Sequence, residues 1–458
     1  MQNTGVSGTA TSSPGSRGDL SLLPILSVNF VGTLGFSIVV PFLVFLVTKW
    51  GGNAFVYGLM GATYSAFQLI GAPILGRWSD RYGRKKILLL SQLGTLVSWV
   101  IFLVAFLLPV DAISDIRSST LGQFTITLPL IVMFIARAAD GITGGNVSVA
   151  NAYLADITDD ENRSANFGRM ALSGNLGFVL GPALAGLLGA TVYGELLPVI
   201  AAMLISLAAT IIIAVGLKEY DPCAVTKTPE PRSLRKVFGQ EHRECFEIED
   251  SVEAGFAEIL RMKHVAALLT VYFLVMLGFS FFYIGFPVHA VTGLGWSVTD
   301  TGVFFAFLSL LMVVVQGPVL ARLSKKLSDR TLAIGGTVVL CLGFAGLYRE
   351  DVAVIYVAAA LIAVGNGLMW PSVLALLSVV AGDEHQGAIQ GAGGSVGAVA
   401  SIIGLVAGGL LYNWLGAWVF VLAMAVILPV AIVTPRVHGG PRRDPSLHSA
   451  RVTSEESK

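Results

Sequence analysis

Charge is what this 458-residue chain has least of. Asp, Glu, Lys and Arg make up 13% of it, where soluble domains carry about 25%. Cysteine is scarce as well. Cys223, Cys245 and Cys341 are too few and too scattered for a disulfide framework or a thiolate metal site. No G-x-x-x-x-G-K-S/T is present, which excludes ATP hydrolysis by a P-loop. The Gly-rich "GAGGSVG" precedes no strand–helix unit, so it is no dinucleotide fingerprint. No Ser/His/Asp constellation or metal-spaced cluster appears either. The reading is therefore a chain that is no enzyme, with no cofactor, no metal and no nucleic-acid partner.

What is present is apolar length. Hydrophobic residues reach 54%, with a mean hydropathy of +0.76. Residues 20–48, 50–76, 87–110, 170–194, 196–217 and 352–382 hold no Asp, Glu, Lys or Arg, and 386–435 is a further such run. An apolar run of about 18 residues or more reads as a membrane-spanning helix. The runs are continuous rather than alternating, which favours helices over a barrel. Twelve spans are predicted, at 20–48, 54–76, 87–109, 128–155, 167–190, 196–217, 265–291, 298–321, 331–348, 352–380, 387–411 and 414–434. Of the 29 basic residues, 25 fall in the loops after even-numbered helices, in the first turn beside such a loop (Arg169), or in the two tails. The positive-inside rule then places both termini in the cytoplasm, and a multi-pass protein of the plasma membrane is expected.

The halves repeat. With a shift of 223 residues, Gly144, Asp160, Glu161, Gly168, Gly174, Gly181 and Gly186 fall on Gly367, Asp383, Glu384, Gly391, Gly397, Gly404 and Gly409. Earlier, "APILGRWSDR" matches "GPVLARLSKK" at a shift of 245, and an extra outer segment around 110–127 accounts for the difference. The predicted organisation is a disordered tail at 1–19, a six-helix bundle at 20–217, a linker at 218–263, a second bundle at 264–435 and a tail at 436–458. Such parallel repeats build two bundles that rock about a central site.

Two segments carry unusual charge. "GRWSDRYGRKK", Gly76 to Lys86, places one acid among five bases between the second and third spans. In the fourth span, Arg137, Asp140, Gly144, Ser148 and Asn151 recur at helical spacing and share a face. A charge at the bilayer centre costs about 2.5–3.5 kcal/mol, and an i, i+3 pair offsets part of that. Asp140 is the acid placed to carry a proton; a purely structural ion pair is the alternative. A third set, Phe282, Tyr283 and Phe286 with Trp370, Asn29, Thr33 and Gln68, is predicted to line an aromatic, weakly polar cavity for a bulky amphiphile. An aromatic face packed in the core or against lipid is the alternative.

The loop pattern, with Gly76, Asp80, Arg81, Gly83, Arg84 and Lys85 in place, resembles the G-x-x-x-D-R-x-G-R-K/R signature of the major facilitator superfamily. "IARAADGITGGN" resembles the fourth helix of its twelve-span drug/proton antiporters, the tetracycline exporters among them. "GFVLGPALAG", with Gly177, Gly181, Pro182 and Gly186, resembles their fifth-helix motif, except that Ala185 stands where Gly is usual. Lys325 stands at the second-half position of Asp80. The resemblance implies an all-α fold of two pseudo-symmetric six-helix bundles. It also implies a gating role for Asp80 against the eleventh helix, with Arg81 and Arg84 as partners, and a proton-coupling role for Arg137. The expected function is proton-coupled efflux of small amphiphilic compounds such as drugs, by a monomer. The alternatives are a proton symporter or facilitator for a metabolite, and a non-transporting receptor.

Overall fold

The computed structural model describes residues 22–144, 146–158, 162–219, 224–225, 246–247, 260–262 and 264–436. The expected tails and most of the expected linker lie outside these. The N-terminal bundle holds α1 (Leu23–Lys49), α2 (Ala54–Tyr82), α3 (Arg84–Ala105), α4 (Leu128–Asp156), α5 (Arg163–Gly189) and α6 (Leu196–Gly216). The C-terminal bundle holds α7 (Val265–Thr292), α8 (Val298–Leu323), α9 (Asp329–Gly346), α10 (Val352–Leu377), α11 (Gly391–Leu415) and α12 (Trp418–Val433). Ten of the described helices are long and apolar enough to cross a membrane; α2, with its charged end, and the 16-residue α12 complete the twelve.

Helices are the outcome because a bilayer supplies no hydrogen-bond partners, so each segment must satisfy its own backbone. Local signals set several starts. Asn53, Ser297, Ser328 and Asp351 each accept a backbone N–H of the first turn of α2, α8, α9 and α10. Asp300 returns the bond to Ser297 and completes a capping box.

The structure corrects one expectation and adds to two others. The Gly76–Lys86 stretch is not a loop. α2 continues to Tyr82 and α3 begins at Arg84, so Gly83 alone, at φ +107°, separates them. Arg84 reaches back across Gly83 to Asp80, so the ion pair ties the end of α2 to the start of α3. The 110–127 segment forms an antiparallel hairpin, β1 (Ala112–Ser118) and β2 (Gly122–Thr127). Finally, α10 and α11 belong to one helical run, Val352–Leu415. That run folds back on itself. A Cβ on Gly393 would stand 3.2 Å from Leu377 Cδ2, whereas sixteen residues of straight helix cover about 24 Å.

The repeat has a three-dimensional counterpart. Gly181 packs on Ser37 of α1, and its repeat partner Gly404 packs on Ser280 of α7. Gly186 meets Gly302 of α8 across the bundle interface, and Gly409 meets Ala54 of α2 across the same interface. Both cross-bundle contacts lie in the half of the molecule that carries the hairpin. At the opposite, basic end, a Cβ on Gly76, Gly317, Gly391 or Gly394 would meet nothing within 4 Å. The close backbone contacts between the bundles that these glycines make therefore lie, among the described residues, in the hairpin half.

The hairpin reinforces the closed end. Thr125 N–H donates to Gly51 O (2.8 Å) and Thr127 Oγ1 to Trp50 O (2.8 Å), which seats it on its own bundle. Trp414 Nε1 donates to Thr120 O (2.7 Å) and Asn413 Nδ2 to Leu121 O (3.2 Å), which ties it to the other.

A Cβ on Gly302 would stand 2.6 Å from Gly186 Cα. Gly302→Val is expected to cost about 1–3 kcal/mol by overpacking, lowering the melting temperature in detergent micelles. Gly391→Ala, with open space around it, serves as the silent control.

Candidate functional site

Near the middle of the molecule are two adjoining cavities, of about 220 Å³ and 280 Å³. Phe36, Val39, Tyr64, Gln68 and Arg137 line both. The first lies within the N-terminal bundle and has a polar wall of Asn29, Thr33, Gln92, Thr95 and Asp140. The second lies between the bundles, where Tyr57 of α2 faces Met276 and Tyr283 of α7 and Leu405 of α11.

Arg137 stands at the junction and is 6% exposed. Its Nη1 donates to Asp140 Oδ2 at 3.2 Å, and its guanidinium lies 4.5 Å above the Tyr64 ring centre. Ion pairing and cation–π attraction together offset the desolvation of a buried cation. Its Nε has no partner.

α4 is broken beside this pair. Gly144, at φ −72° and ψ 23°, departs from helical dihedrals just after Thr143. The break frees carbonyls that a bilayer would leave unsatisfied. Side chains of neighbouring helices take them up: Gln68 Nε2 donates to Gly144 O (3.0 Å), and Ser91 Oγ donates to Thr143 O (2.5 Å). The predicted continuous face from Arg137 to Asn151 is therefore interrupted at Gly144. Two successive glycines, Gly144 and Gly145, with the lowest helix propensity of any residue but proline, were the sequence signal for this break.

The predicted cavity residues divide. Asn29, Thr33, Gln68 and Tyr283 line the cavities. Asn29 is also tied to α5, donating to Met170 O (2.8 Å) and Ser173 Oγ (3.0 Å). Phe282 and Phe286 do not line them; both are 0% exposed in the core of the second bundle. Phe286 stacks on Phe304 with ring centres 3.9 Å apart. Trp370 packs on Tyr272 at 4.9 Å, away from both cavities. On α7, Phe282 and Phe286 belong to the core while Tyr283, next to Phe282, lines the cavity. Sequence reasoning missed Tyr57 and Tyr64, whose spacing of seven residues on α2 puts both on the cavity face.

The α2–α3 junction is a second, separate charge cluster. Arg84, 9% exposed, pairs with Asp80 and with Asp156 at the end of α4 (2.7 Å), and donates to Ser79 Oγ (2.8 Å). Lys85 N–H donates to Glu219 Oε1 (3.1 Å), just past α6. Burial pushes the Glu219 carboxyl above the usual range, partly offset by that bond and by Lys86 and Lys85. Gly83 is favoured there by its φ of +107°, and a Cβ on it would displace this carboxylate. Asp156 and Glu219 were not predicted, and nothing local marks them. The expected contact of Asp80 at the start of the eleventh helix falls on residues 381–388, whose side chains lie outside the described residues.

On α5, Ser37 Oγ donates to Gly177 O (2.9 Å), and Gly177 and Gly181 let α1 approach closely. Pro182 lies inside the helix. Gly186 faces the other bundle, where Thr299 Oγ1 donates to its carbonyl (3.1 Å), and the Pro182 carbonyl borders Gly302 of the same bundle.

Gln68→Leu would strand the Gly144 carbonyl, at a cost of about 1–3 kcal/mol. The expected result is a lower melting temperature with Gln68→Leu and a smaller fall with Gln68→Glu plus a protonated carboxyl at low pH.

The arrangement is not unique to this chain. A profile described as Major Facilitator Superfamily matches residues 25–400 and again 317–455. The chain is 26% identical over 417 residues to the tetracycline resistance protein, class C, of Escherichia coli, covering 89% of this chain and 95% of that one. It is 24% identical over 394 residues to multidrug resistance protein 2 of Bacillus subtilis (strain 168), covering 85% and 88%. Among solved structures, a D-xylose-proton symporter superposes with a TM-score of 0.67 at 14% identity over 91% of this chain and 97% of the other. A human organic anion transporter gives 0.61 at 19% identity over 90% and 98%. Profile, curated relatives and fold agree with the helical repeat and its motifs, and the chain belongs to the Major Facilitator Superfamily.

Proposed function

We propose that the protein is a proton-coupled exporter of small amphiphilic compounds that works by alternating access. The observation that carries this reading is the buried Arg137–Asp140 pair at the junction of the two cavities. A charge pair this deep in a membrane protein costs free energy, and such residues mark ion and substrate pathways. The relatives named for tetracycline and multidrug resistance support efflux. The basic-end loops and tails are taken to face the cytoplasm of a plasma-membrane protein, and the working unit is taken to be a monomer.

In this reading the structure corresponds to the state open toward the cytoplasm, with the hairpin end shut. Substrate enters the cavity from that side. Reorientation breaks the Gly186–Gly302 and Gly409–Ala54 contacts and brings the α2–α3 junction against the second bundle, where Asp80 takes its gating role. Protonation of Asp140 removes the countercharge of Arg137 at the place where substrate sits, so proton and substrate act on one guanidinium and bias opposite orientations. One proton moving down ~100 mV supplies about 2.3 kcal/mol, or roughly fifty-fold accumulation of a neutral solute.

Proteoliposomes with an imposed pH gradient test this. Lipophilic compounds added to wild-type protein are expected to evoke proton movement, and Asp140→Asn is expected to abolish it. Unchanged proton movement in the variant would reduce Asp140 to a structural partner of Arg137. Substrate flux down its own gradient with no proton movement would replace the antiporter with a facilitator.

A further inference from the structure

The cavity junction offers protons rather than charge. Arg137 Nε is buried and unpartnered. Among the described residues, the hydroxyls of Tyr57 and Tyr283 have no hydrogen-bond partner, and both residues line the inter-bundle cavity. Tyr57 is 3% exposed. The Tyr64 hydroxyl accepts from Gln68 Nε2 (3.1 Å), which leaves its own proton uncommitted. A hydroxyl or guanidinium N–H without a partner is a donor waiting for an acceptor. At the same place the formal charges cancel, because Asp140 already holds Arg137.

We infer that Tyr57, Tyr64, Tyr283 and Arg137 form a binding subsite for uncharged, acceptor-bearing aromatic compounds, with carbonyl or ester oxygens turned to these donors. This rests on the export reading for its physiological role, though not for the binding itself. A buried site that leaves its polar groups unpaired penalises a ligand that cannot pair them. The apolar body of such a ligand fits the Met276, Ile284 and Leu405 side of the same cavity. A full cation would find its natural counterion, Asp140, already taken. A carboxylate would place a second anion on a guanidinium that Asp140 already neutralises.

The subsite also spans the interface that must open and close. Tyr57 and Tyr64 belong to the N-terminal bundle and Tyr283 to the C-terminal one. A ligand held by all three reports on, and depends on, the bundle arrangement seen here.

The test uses one ring system in three charge states: methoxycoumarin carboxylate, its neutral ethyl ester and its cationic choline ester. Binding to the purified full-length protein in detergent is followed by fluorescence. The ethyl ester is expected to bind tightest. Tyr57→Phe and Tyr283→Phe, which keep the ring and remove the hydroxyl, are each expected to weaken it about five- to tenfold while leaving the choline ester unchanged. Size exclusion and a thermal melt on each variant confirm folding, and a Phe variant that fails this check is replaced by Tyr→Phe at Tyr64. Tightest binding of the choline ester, or an ethyl ester indifferent to both Phe variants, would overturn the inference. So would a carboxylate that binds best and gains in Asp140→Asn. Binding as expected without transport in proteoliposomes would sink the export reading and leave the subsite standing.

Discussion

The arrangement depends on backbone meeting backbone across the bundle interface. Gly186 against Gly302 joins α5 to α8, and Gly409 against Ala54 joins α11 to α2. Within a bilayer there is little hydrophobic drive between helices, so close packing of small residues has to supply the attraction. Because these contacts involve few side chains, they offer little side-chain interlocking to undo. Among the described residues they sit in the half of the molecule that carries the hairpin. The hairpin adds polar ties at that same end, and it has no repeat partner in the second half, so the two-fold symmetry of the helices is not carried into their connections.

The central cavity follows from the same geometry. The space between the bundles opens where α2, α4 and α7 pass one another. A broken α4 is tolerable there because Gln68 and Ser91 reach the freed carbonyls. Irregular backbone at membrane depth survives only where protein or a cavity satisfies it. The Arg137–Asp140 pair precedes this break, so the charged site and the least regular segment of the first bundle coincide. A change in the charge state of Asp140 therefore acts where the helix is easiest to rearrange.

The α2–α3 junction is organised differently, around the guanidinium of Arg84, whose partners come from two neighbouring helices. Ser79 and Asp80 lie in the last turn of α2, and Asp156 ends α4. With Glu219 on the Lys85 amide, the junction gathers the ends of α2, α3, α4 and α6 into one charge cluster. Several charges sharing partners stabilise more than isolated surface pairs do. The bases of this junction thus fasten the basic ends of the first bundle's helices.

The sequence by itself determined the spans, the duplication and the placement of its motifs. Each of these is written locally, in apolar length, in glycine spacing and in the distribution of Lys and Arg. It also determined that Arg137 and Asp140 would meet, since residues three apart on a helix are neighbours. Tertiary structure alone decided that Gly177 and Gly181 serve α1 while Gly186 serves the other bundle, and that Phe282 and Phe286 are core while Tyr283 is cavity. It decided as well that Asp156 and Glu219 close on the junction and that Trp414 reaches Thr120, 294 residues away. The reason is physical: which side of an apolar helix faces a neighbour, a cavity or lipid depends on what approaches it. In a membrane all three surroundings favour the same residues, so hydrophobic periodicity, the signal that marks a soluble core, is nearly silent.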